Sequence, residues 1–474
     1  MGSSNRILLV APHSIVEPLG LFYLSTVARQ EGWEPKIFLT KFDYDELNNA
    51  MKDFNPSIVG FTVYTGIHKQ IFSLLDLLKK DFPGITTIIG GPHATCFPHD
   101  CASHSNHVVV GEGLNSLRTI LHGTTSSVLV CNHREQFPIS DRMDFYASDK
   151  KHRESPIKSV IANFGCPFDC SYCYNSMDKN LFPLLFRSVD DVITEVTNVL
   201  SIVPNTKTIF FQDDVFGMNV SWLEEFAEKY SKINTPFHCQ TRFEFLNPSK
   251  DDGLRRLNLL KQAGCSGITL AIESSNPIIR KEILGRTMDN ALIFDTMVKL
   301  SELGFRVRTE QMLGIPYGAT SVETPINLDA DIDTLEFNIQ LRESTGLPTV
   351  AWASILMPYK GTRIWDYCDK YGFYHGSNDD IPKSFFERSV LKFPDKWVGS
   401  NLSDSDSNWM NSKDSDDYKD KMYRLQSMFH LAALMPSGHK LVRRFLDGDA
   451  TDNNLNKLLT TTKYHLYENE LYQV

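Results

Sequence analysis

The sequence predicts an α/β protein built from two successive blocks of alternating strand and helix, followed by a mainly helical tail. Three observations carry this. Short apolar runs alternate with helical periodicity over residues 6–125 and again over residues 158–373. A polar, charged stretch over 126–157 interrupts the pattern, and a chain of 474 residues is too long for one ordinary core.

In the first block, strands are expected at 7–11, 35–39, 57–62, 86–89 and 107–110, with helices at 19–31, 44–53, 67–81 and 114–122 between them. Strand and helix alternating through short loops give a parallel, doubly wound sheet of Rossmann type, which takes its ligand beyond the carboxyl ends of the strands. The loops at that edge read Pro12-His13, Val63-Tyr64-Thr65-Gly66, Gly90-Gly91-Pro92-His93-Ala94-Thr95 and Gly111-Glu112-Gly113. Glycines there let the backbone approach a bulky ligand, and the hydroxyls of Thr62, Thr65 and Thr95 can hydrogen-bond it. No G-x-G-x-x-G follows the first strand, which argues against a dinucleotide.

The linker over 126–157 holds a short strand at 127–130 and a segment around Pro138, Asp141 and Lys150 to Arg153. In the second block, strands are expected at 160–164, 208–212, 237–241, 267–272, 306–313 and 349–356. Helices fit at 190–202, 221–233, 248–263, 288–303, 322–343 and 361–371. Beyond about residue 374 the pattern changes. Residues 401–420 are rich in Asp and Ser and read as an exposed segment, and a helix is expected from 423 to 446, interrupted near Pro436-Ser-Gly438.

Three of the nine cysteines fall within Cys166-Pro-Phe-Asp-Cys170-Ser-Tyr172-Cys173, just after the first strand of the second block. Thiolates are the usual ligands of iron–sulfur clusters; a cubane normally takes four, so three leave one iron open to another ligand. Zinc would require a fourth Cys or His, none of which lies nearby in sequence, and a disulfide would strand one thiol.

The CxxxCxxC spacing, with Tyr172 before the last cysteine, resembles the signature of the radical SAM enzymes. That resemblance implies a 4Fe-4S cluster on Cys166, Cys170 and Cys173 whose open iron binds S-adenosylmethionine (SAM) and cleaves it to a 5′-deoxyadenosyl radical. It also implies that the six strand–helix units of 158–373 form a partial (β/α)6 barrel. The set GLFYLS from Gly20, VGFTVYT from Val59, GGPHAT and GEG is similar to the cobalamin-binding domain that precedes the barrel in many of these enzymes. This implies cobalamin contacts from Pro12, His13, Gly20, Thr62, Tyr64, Thr65, Gly66, Gly90, Gly91, Pro92, His93, Ala94, Gly111, Glu112 and Gly113. The D-x-H-x-x-G motif of mutase-type cobalamin domains is absent, and Leu114 stands where relatives often place an acid.

Within the barrel, Gln212, Asp213 and Asp214 resemble the D-D-x-F segment of cobalamin-dependent members, which would receive the SAM ammonium. The resemblance also implies SAM contacts from Tyr172, from Arg242 at the end of the third strand, and from Pro358. Glu273 and Ser274 resemble the G-I-E-S segment, with Ala271 in place of glycine; Glu310 could reach ribose hydroxyls. Gly314 and Pro316 match a G-x-P turn near adenine, and Pro358 opens a P-x-P-G-T turn in which Lys360 replaces the second proline. The implied enzyme is a cobalamin-dependent radical SAM C-methyltransferase, working through methylcobalamin on an unactivated carbon. Ring formation, ring contraction or rearrangement without net methylation is the alternative within the family. A methylthiotransferase would need three widely spaced cysteines in the first domain, where only Cys96, Cys101 and Cys131 occur. A non-catalytic cobalamin carrier or sensor would have no use for the cysteine triad.

A net charge of −10 and the lack of a basic stripe exclude a general nucleic-acid binder. No run of about 18 apolar residues suggests a membrane span, and the start reads as a strand rather than a signal peptide. The odd cysteine count fits a reducing compartment, so a cytoplasmic enzyme is expected. Its partners would be a small-molecule, lipid or peptide substrate and an external one-electron reductant such as flavodoxin or ferredoxin.

Overall fold

The computed structural model describes residues 5–131, 136–316, 330–384, 386–393, 415–435 and 442. The chain forms two compact units, Met1–Cys166 with Asp178–Asp213, and Pro167–Met177 with Asp214–Val474.

The first unit opens with β1 (Arg6–Pro12), α1 (Leu19–Gln30), β2 (Glu34–Thr40), α2 (Tyr44–Phe54), β3 (Ile58–Thr62), α3 (His68–Asp81) and β4 (Thr86–Gly90). Two short helices, α4 (Pro92–Cys96) and α5 (Pro98–Ala102), lead to β5 (His107–Gly111), α6 (Leu114–Leu121) and β6 (Val128–Cys131). The strands form one parallel sheet in the order β2-β1-β3-β4-β5-β6. Central strands of such a sheet are covered on both faces, so they read as unbroken apolar runs. In β1, Leu8 and Val10 pack with Leu47, Met51, Leu74 and Leu78 of α2 and α3, whereas Ile7, Leu9 and Ala11 pack with Val27, Leu117 and Ile120 of α1 and α6.

The strand expected inside the linker does form, but as β6 it is the sixth strand of this sheet, with Val108 to Gly111 paired to Val128 to Cys131. Two short helices, α7 (Met143–Ser148) and α8 (Lys150–Glu154), follow where no helix is expected. The unit continues with β7 (Ile157–Val160), β8 (Asn163–Phe164), β9 (Leu185–Phe186), α9 (Val189–Ile202) and β10 (Thr208–Phe211). The apolar run at 160–164 is therefore not one strand. β7 ends at Val160 and pairs in parallel with β10, and after a break β8 pairs antiparallel with β9.

The second unit contains α10 (Val220–Tyr230), β11 (Phe237–Thr241), α11 (Asp251–Gln262), β12 (Cys265–Glu273), α12 (Asn290–Glu302), β13 (Arg306–Leu313), α13 (Ala330–Thr345), β14 (Val350–Ile355), α14 (Arg363–Lys370) and α15 (Ser415–Ala433). Strands β11 to β14 pair in parallel in chain order. Five of the six strands expected of the barrel thus form where read, and the first is displaced to Ile157–Val160; two of the six lie in the first unit and four in the second. The part of the expected long helix at 322–329 lies outside the described residues, as do 401–414 and Pro436-Ser-Gly438. Residues 415–420, expected as exposed acidic chain, instead start α15, with Asp416 and Asp417 in its first turn, where carboxylates suit the helix dipole. Tyr418 is buried, and its hydroxyl lies 3.0 Å from Asp331 of α13. α15 lies along the edge strand β14: Gln426 donates to the Ala353 carbonyl at 2.9 Å, and the Ala351 amide donates to His430 Nδ1 at 3.3 Å. Strand-edge groups that would otherwise attract another chain are taken by helix side chains. Among the described residues, no helix is long and apolar enough to cross a membrane.

A buried ion network ties the linker of the first unit to α9. Glu195 of α9 accepts from Arg142 Nη2 at 2.6 Å and Ser140 Oγ at 2.7 Å, and pairs with Arg187 at 2.7 Å. Tyr23 of α1 adds its hydroxyl at 3.3 Å. Burial alone would raise the Glu195 carboxyl; the Arg142 and Arg187 guanidiniums overcome this and hold it below its ordinary value. A carboxyl lowered on folding contributes stability above its unfolded value, and that stability is lost as pH falls through the folded one. Glu195→Ala is expected to destabilise the protein by about 3–5 kcal/mol, because it strands buried guanidiniums. In urea unfolding, the gap between the parent protein and Glu195→Gln should narrow as pH drops below the ordinary glutamate value of 4.5.

Candidate functional site

In the first unit the strand order reverses between β1 and β3, the point at which doubly wound sheets open a crevice for ligand. Pro12 and His13 leave β1. Thr62 ends β3, followed by Tyr64, Thr65 and Gly66; Gly90 ends β4, and Gly91, Pro92, His93 and Ala94 lead through α4; Gly111 ends β5, and Glu112 and Gly113 precede α6. Gly20 is exposed in the first turn of α1. Four adjacent strand ends therefore gather the residues expected to take cobalamin. Ile15, Val16 and Tyr64 are large apolar side chains left about half exposed in the loops after β1 and β3. A bulky ligand lying on the edge would cover them, so the residues present fit the corrin-sized group.

Part of that set also does structural work. Gly91 has φ +97°, and a Cβ there would lie 2.7 Å from Thr62 Oγ1. Its glycine lets one loop close onto the next, where the His93 amide donates to the Val63 carbonyl at 3.0 Å. At Gly111, with φ +82°, a Cβ would meet the Cys131 carbonyl at 2.7 Å. His93 is fully buried, with Nδ1 2.9 Å from Thr65 Oγ1 and its ring stacked on His68 at 4.3 Å. Ala94 is buried, and the buried Glu112 carboxylate accepts the Leu114 amide at the start of α6.

The cysteine loop is anchored at both ends by its own unit in each case. In the first unit, Gly165 has φ +77°, and a Cβ would lie 2.6 Å from the Pro183 carbonyl, so only glycine passes. The Cys166 carbonyl accepts from Lys179 Nζ at 2.9 Å. Asp213, fully buried, accepts the Ala162 and Asn163 amides at 3.0 and 2.7 Å, which fixes the chain just before the loop. Gln212 reaches Ser159 Oγ at 3.4 Å.

In the second unit, the Ser171 amide donates to the Leu284 carbonyl at 3.1 Å, Ser171 Oγ to the Ile283 carbonyl at 2.6 Å, and the Ile364 amide to the Ser171 carbonyl at 3.0 Å. Arg363 binds both the carboxylate and the carbonyl of Asp169. Cys170 is buried, and Cys173 is half-buried.

Tyr172, Arg242, Glu273 and Ser274 come together around this loop in the second unit. The Tyr172 hydroxyl donates to Glu273 Oε1 at 2.6 Å; Arg286 Nη1 lies 3.2 Å from the same oxygen and 3.1 Å from the Tyr172 hydroxyl. Glu273 adopts φ +65°, a conformation costly for a residue with a Cβ and characteristic of functional strand ends. Burial pushes its carboxyl above the ordinary range, and Arg286 opposes this. Ser274 is buried, and its Oγ accepts the Asn276 amide at 3.3 Å. Glu310 pairs with Arg308 on β13 at 2.5 Å. Asp214 is exposed. Gly314, Pro316 and Pro358 are buried. Gly314 donates its amide to Asp331, and a Cβ there would strike Met422 of α15. Arg286 is missing from the sequence-based site because it follows a single π-helical turn, Ile279–Ile283, with no periodicity to mark it. Glu244 is the other omission, and its only sequence signal is its place two residues after Arg242.

All nine cysteines are outside disulfides. Among the described residues, no three His, Cys, Asp or Glu side chains form a ready-made metal-holding group. The fit of an iron–sulfur cluster rests on donor chemistry: three thiols in eight residues, with the Arg242 cation 3.3 Å from the Cys170 sulfur.

Residues 5–121 match the B12 binding domain, and residues 160–320 match the radical SAM superfamily. The chain is 23% identical to an uncharacterized methyltransferase of Pyrococcus horikoshii, over 74% of this chain and 78% of that one. It is 22% identical to the hopanoid C-3 methylase of Methylococcus capsulatus, over 74% and 68%. Among solved structures it resembles the radical SAM methyltransferase TsrM of Kitasatospora setae with cobalamin and a [4Fe-4S] cluster bound. There the TM-score is 0.63 and the identity 14%, over 97% of this chain and 95% of that one. At that identity the likeness shows the shared fold. With a B12 binding domain followed by a radical SAM domain, the chain belongs to the cobalamin-dependent radical SAM enzymes.

Proposed function

We propose that this chain methylates an unactivated carbon of a small-molecule substrate, in the cytoplasm, with electrons from an external one-electron carrier of the flavodoxin or ferredoxin kind. The observation that carries this reading is the co-occurrence, in one chain, of the anchored thiol loop and the four edge loops, three of them glycine-bearing, of a B12-binding sheet. The cofactors of the family supply the chemistry: a cluster with SAM yields a hydrogen-abstracting radical, and cobalamin supplies the methyl group.

The chain's own residues bind and orient. Cys166, Cys170 and Cys173 supply the three thiolates. Asp213 serves the loop rather than SAM, since its carboxylate is committed to two backbone amides. Asp214, Glu273, Ser274 and Glu310 are the groups proposed to receive the ammonium and hydroxyls of SAM. Tyr172 and Arg286 hold the Glu273 carboxylate in its strained position. The exposed apolar side chains after β1 and β3 would lie against the corrin and exclude water from it.

The reading is tested by anaerobic reconstitution with iron, sulfide and hydroxocobalamin, followed by assay of SAM with dithionite. Both 5′-deoxyadenosine and S-adenosylhomocysteine are expected. Deoxyadenosine alone, with cobalamin retained, would overturn methylation in favour of rearrangement; neither product, with no cobalamin bound, would overturn the two-cofactor reading. Asp213→Ala leaves two buried amides without an acceptor, at about 1–3 kcal/mol each. It should lower iron retained per chain while leaving cobalamin binding intact.

A further inference from the structure

We propose that Arg242 acts on the cluster rather than on SAM: it is a positioning residue that donates an N–H to the Cys170 sulfur, with Glu244 as a counter-charge that moderates its effect. This rests on the reading that Cys170 ligates the cluster. Three contacts hold the guanidinium, and they leave it little freedom. Nη1 is 3.3 Å from Cys170 Sγ. Nη2 and Nε meet the two oxygens of Glu244 at 2.7 and 3.2 Å, a two-pronged pairing that fixes the plane of the group. The Phe168 ring lies beneath the guanidinium carbon at 3.7 Å from its centroid, and Phe168 is in turn braced by Phe245 at 5.6 Å. Only 9% of the Arg242 side chain is exposed.

The geometry separates two roles open to an arginine at a strand end beside this loop. An arginine that receives a ligand carboxylate presents its fork to it. Here the fork is taken by Glu244, two residues away, and the remaining Nη1 points at sulfur. Arg286, the other cation of this region, is occupied with Glu273 and the Ala271 carbonyl.

An N–H donor and a positive charge beside a ligating thiolate stabilise the cluster after it has gained an electron, because hydrogen bonds to sulfur and local charge set its reduction potential. A carboxylate at Glu244 acts with the opposite sign. The two side chains therefore form an opposed pair: Arg242 makes the cluster easier to reduce, and Glu244 limits that gain. A neutral glutamine at 244 keeps an oxygen facing the guanidinium and removes only the charge.

The test is a mediated redox titration of the full-length, anaerobically reconstituted protein, followed by electron paramagnetic resonance of the reduced cluster. At the midpoint of the parent protein, Arg242→Met should lower the ratio of reduced to oxidised cluster about tenfold, equivalent to about 59 mV for a one-electron couple. Arg242→Lys should shift it less in the same direction, and Glu244→Gln should shift it the other way. Assembled clusters with unshifted midpoints in Arg242→Met and Glu244→Gln would overturn the proposal, as would shifts of the same sign. If Arg242→Met fails to assemble a cluster, Arg242→Lys and Glu244→Gln decide, and unshifted midpoints in both overturn it. Failure of the parent protein to assemble any cluster would overturn the cluster reading itself.

Discussion

Among the described residues, a buried carboxylate is held where N–H or O–H donors face it, and the chain around the cysteine loop is built on that requirement. Asp213 is satisfied by two backbone amides just before the cysteine loop. Glu195 is satisfied by two guanidiniums and a serine between the linker and α9. Glu273 is satisfied by a tyrosine and an arginine at the end of β12, and Glu244 by an arginine that also reaches a cysteine sulfur.

Several residues expected to touch cofactor also hold the protein's own chain in place. Asp213 and Glu112 hold backbone, Gly91 and Gly111 let neighbouring chain approach, and His93 packs on His68. In the second unit Asp214 is exposed, Glu310 pairs with Arg308, and Glu273 carries the strained φ.

Most strands were legible because buried parallel strands make compact apolar runs bounded by glycine or charge; β11 and β13 fall where the runs predict, at Phe237–Thr241 and Arg306–Leu313. The misread stretches have separate causes. The run before Gly165 looks continuous, but Asp213 draws the Ala162 and Asn163 amides out of register, a long-range contact without local periodicity. Strand β6 looks like linker because Val128 and Val130 are exposed at the sheet edge. The start of α15 looks like acidic coil because its first turn carries the aspartates that favour a helix amino terminus. The thiol loop was legible from spacing alone, whereas Arg286 and Glu244 belong to the site only through the fold.

The central claim is that one chain holds two metal cofactors by separate sets of residues. Its most direct test is a count of iron, sulfide and cobalt per chain after anaerobic purification and loading, in the parent protein and in the Cys166→Ala, Cys170→Ala, Cys173→Ala triple variant. The account predicts about four iron, four sulfide and one cobalt in the parent, and cobalt without iron in the triple variant. Iron retained by the triple variant, or no cobalt in the parent, would contradict it.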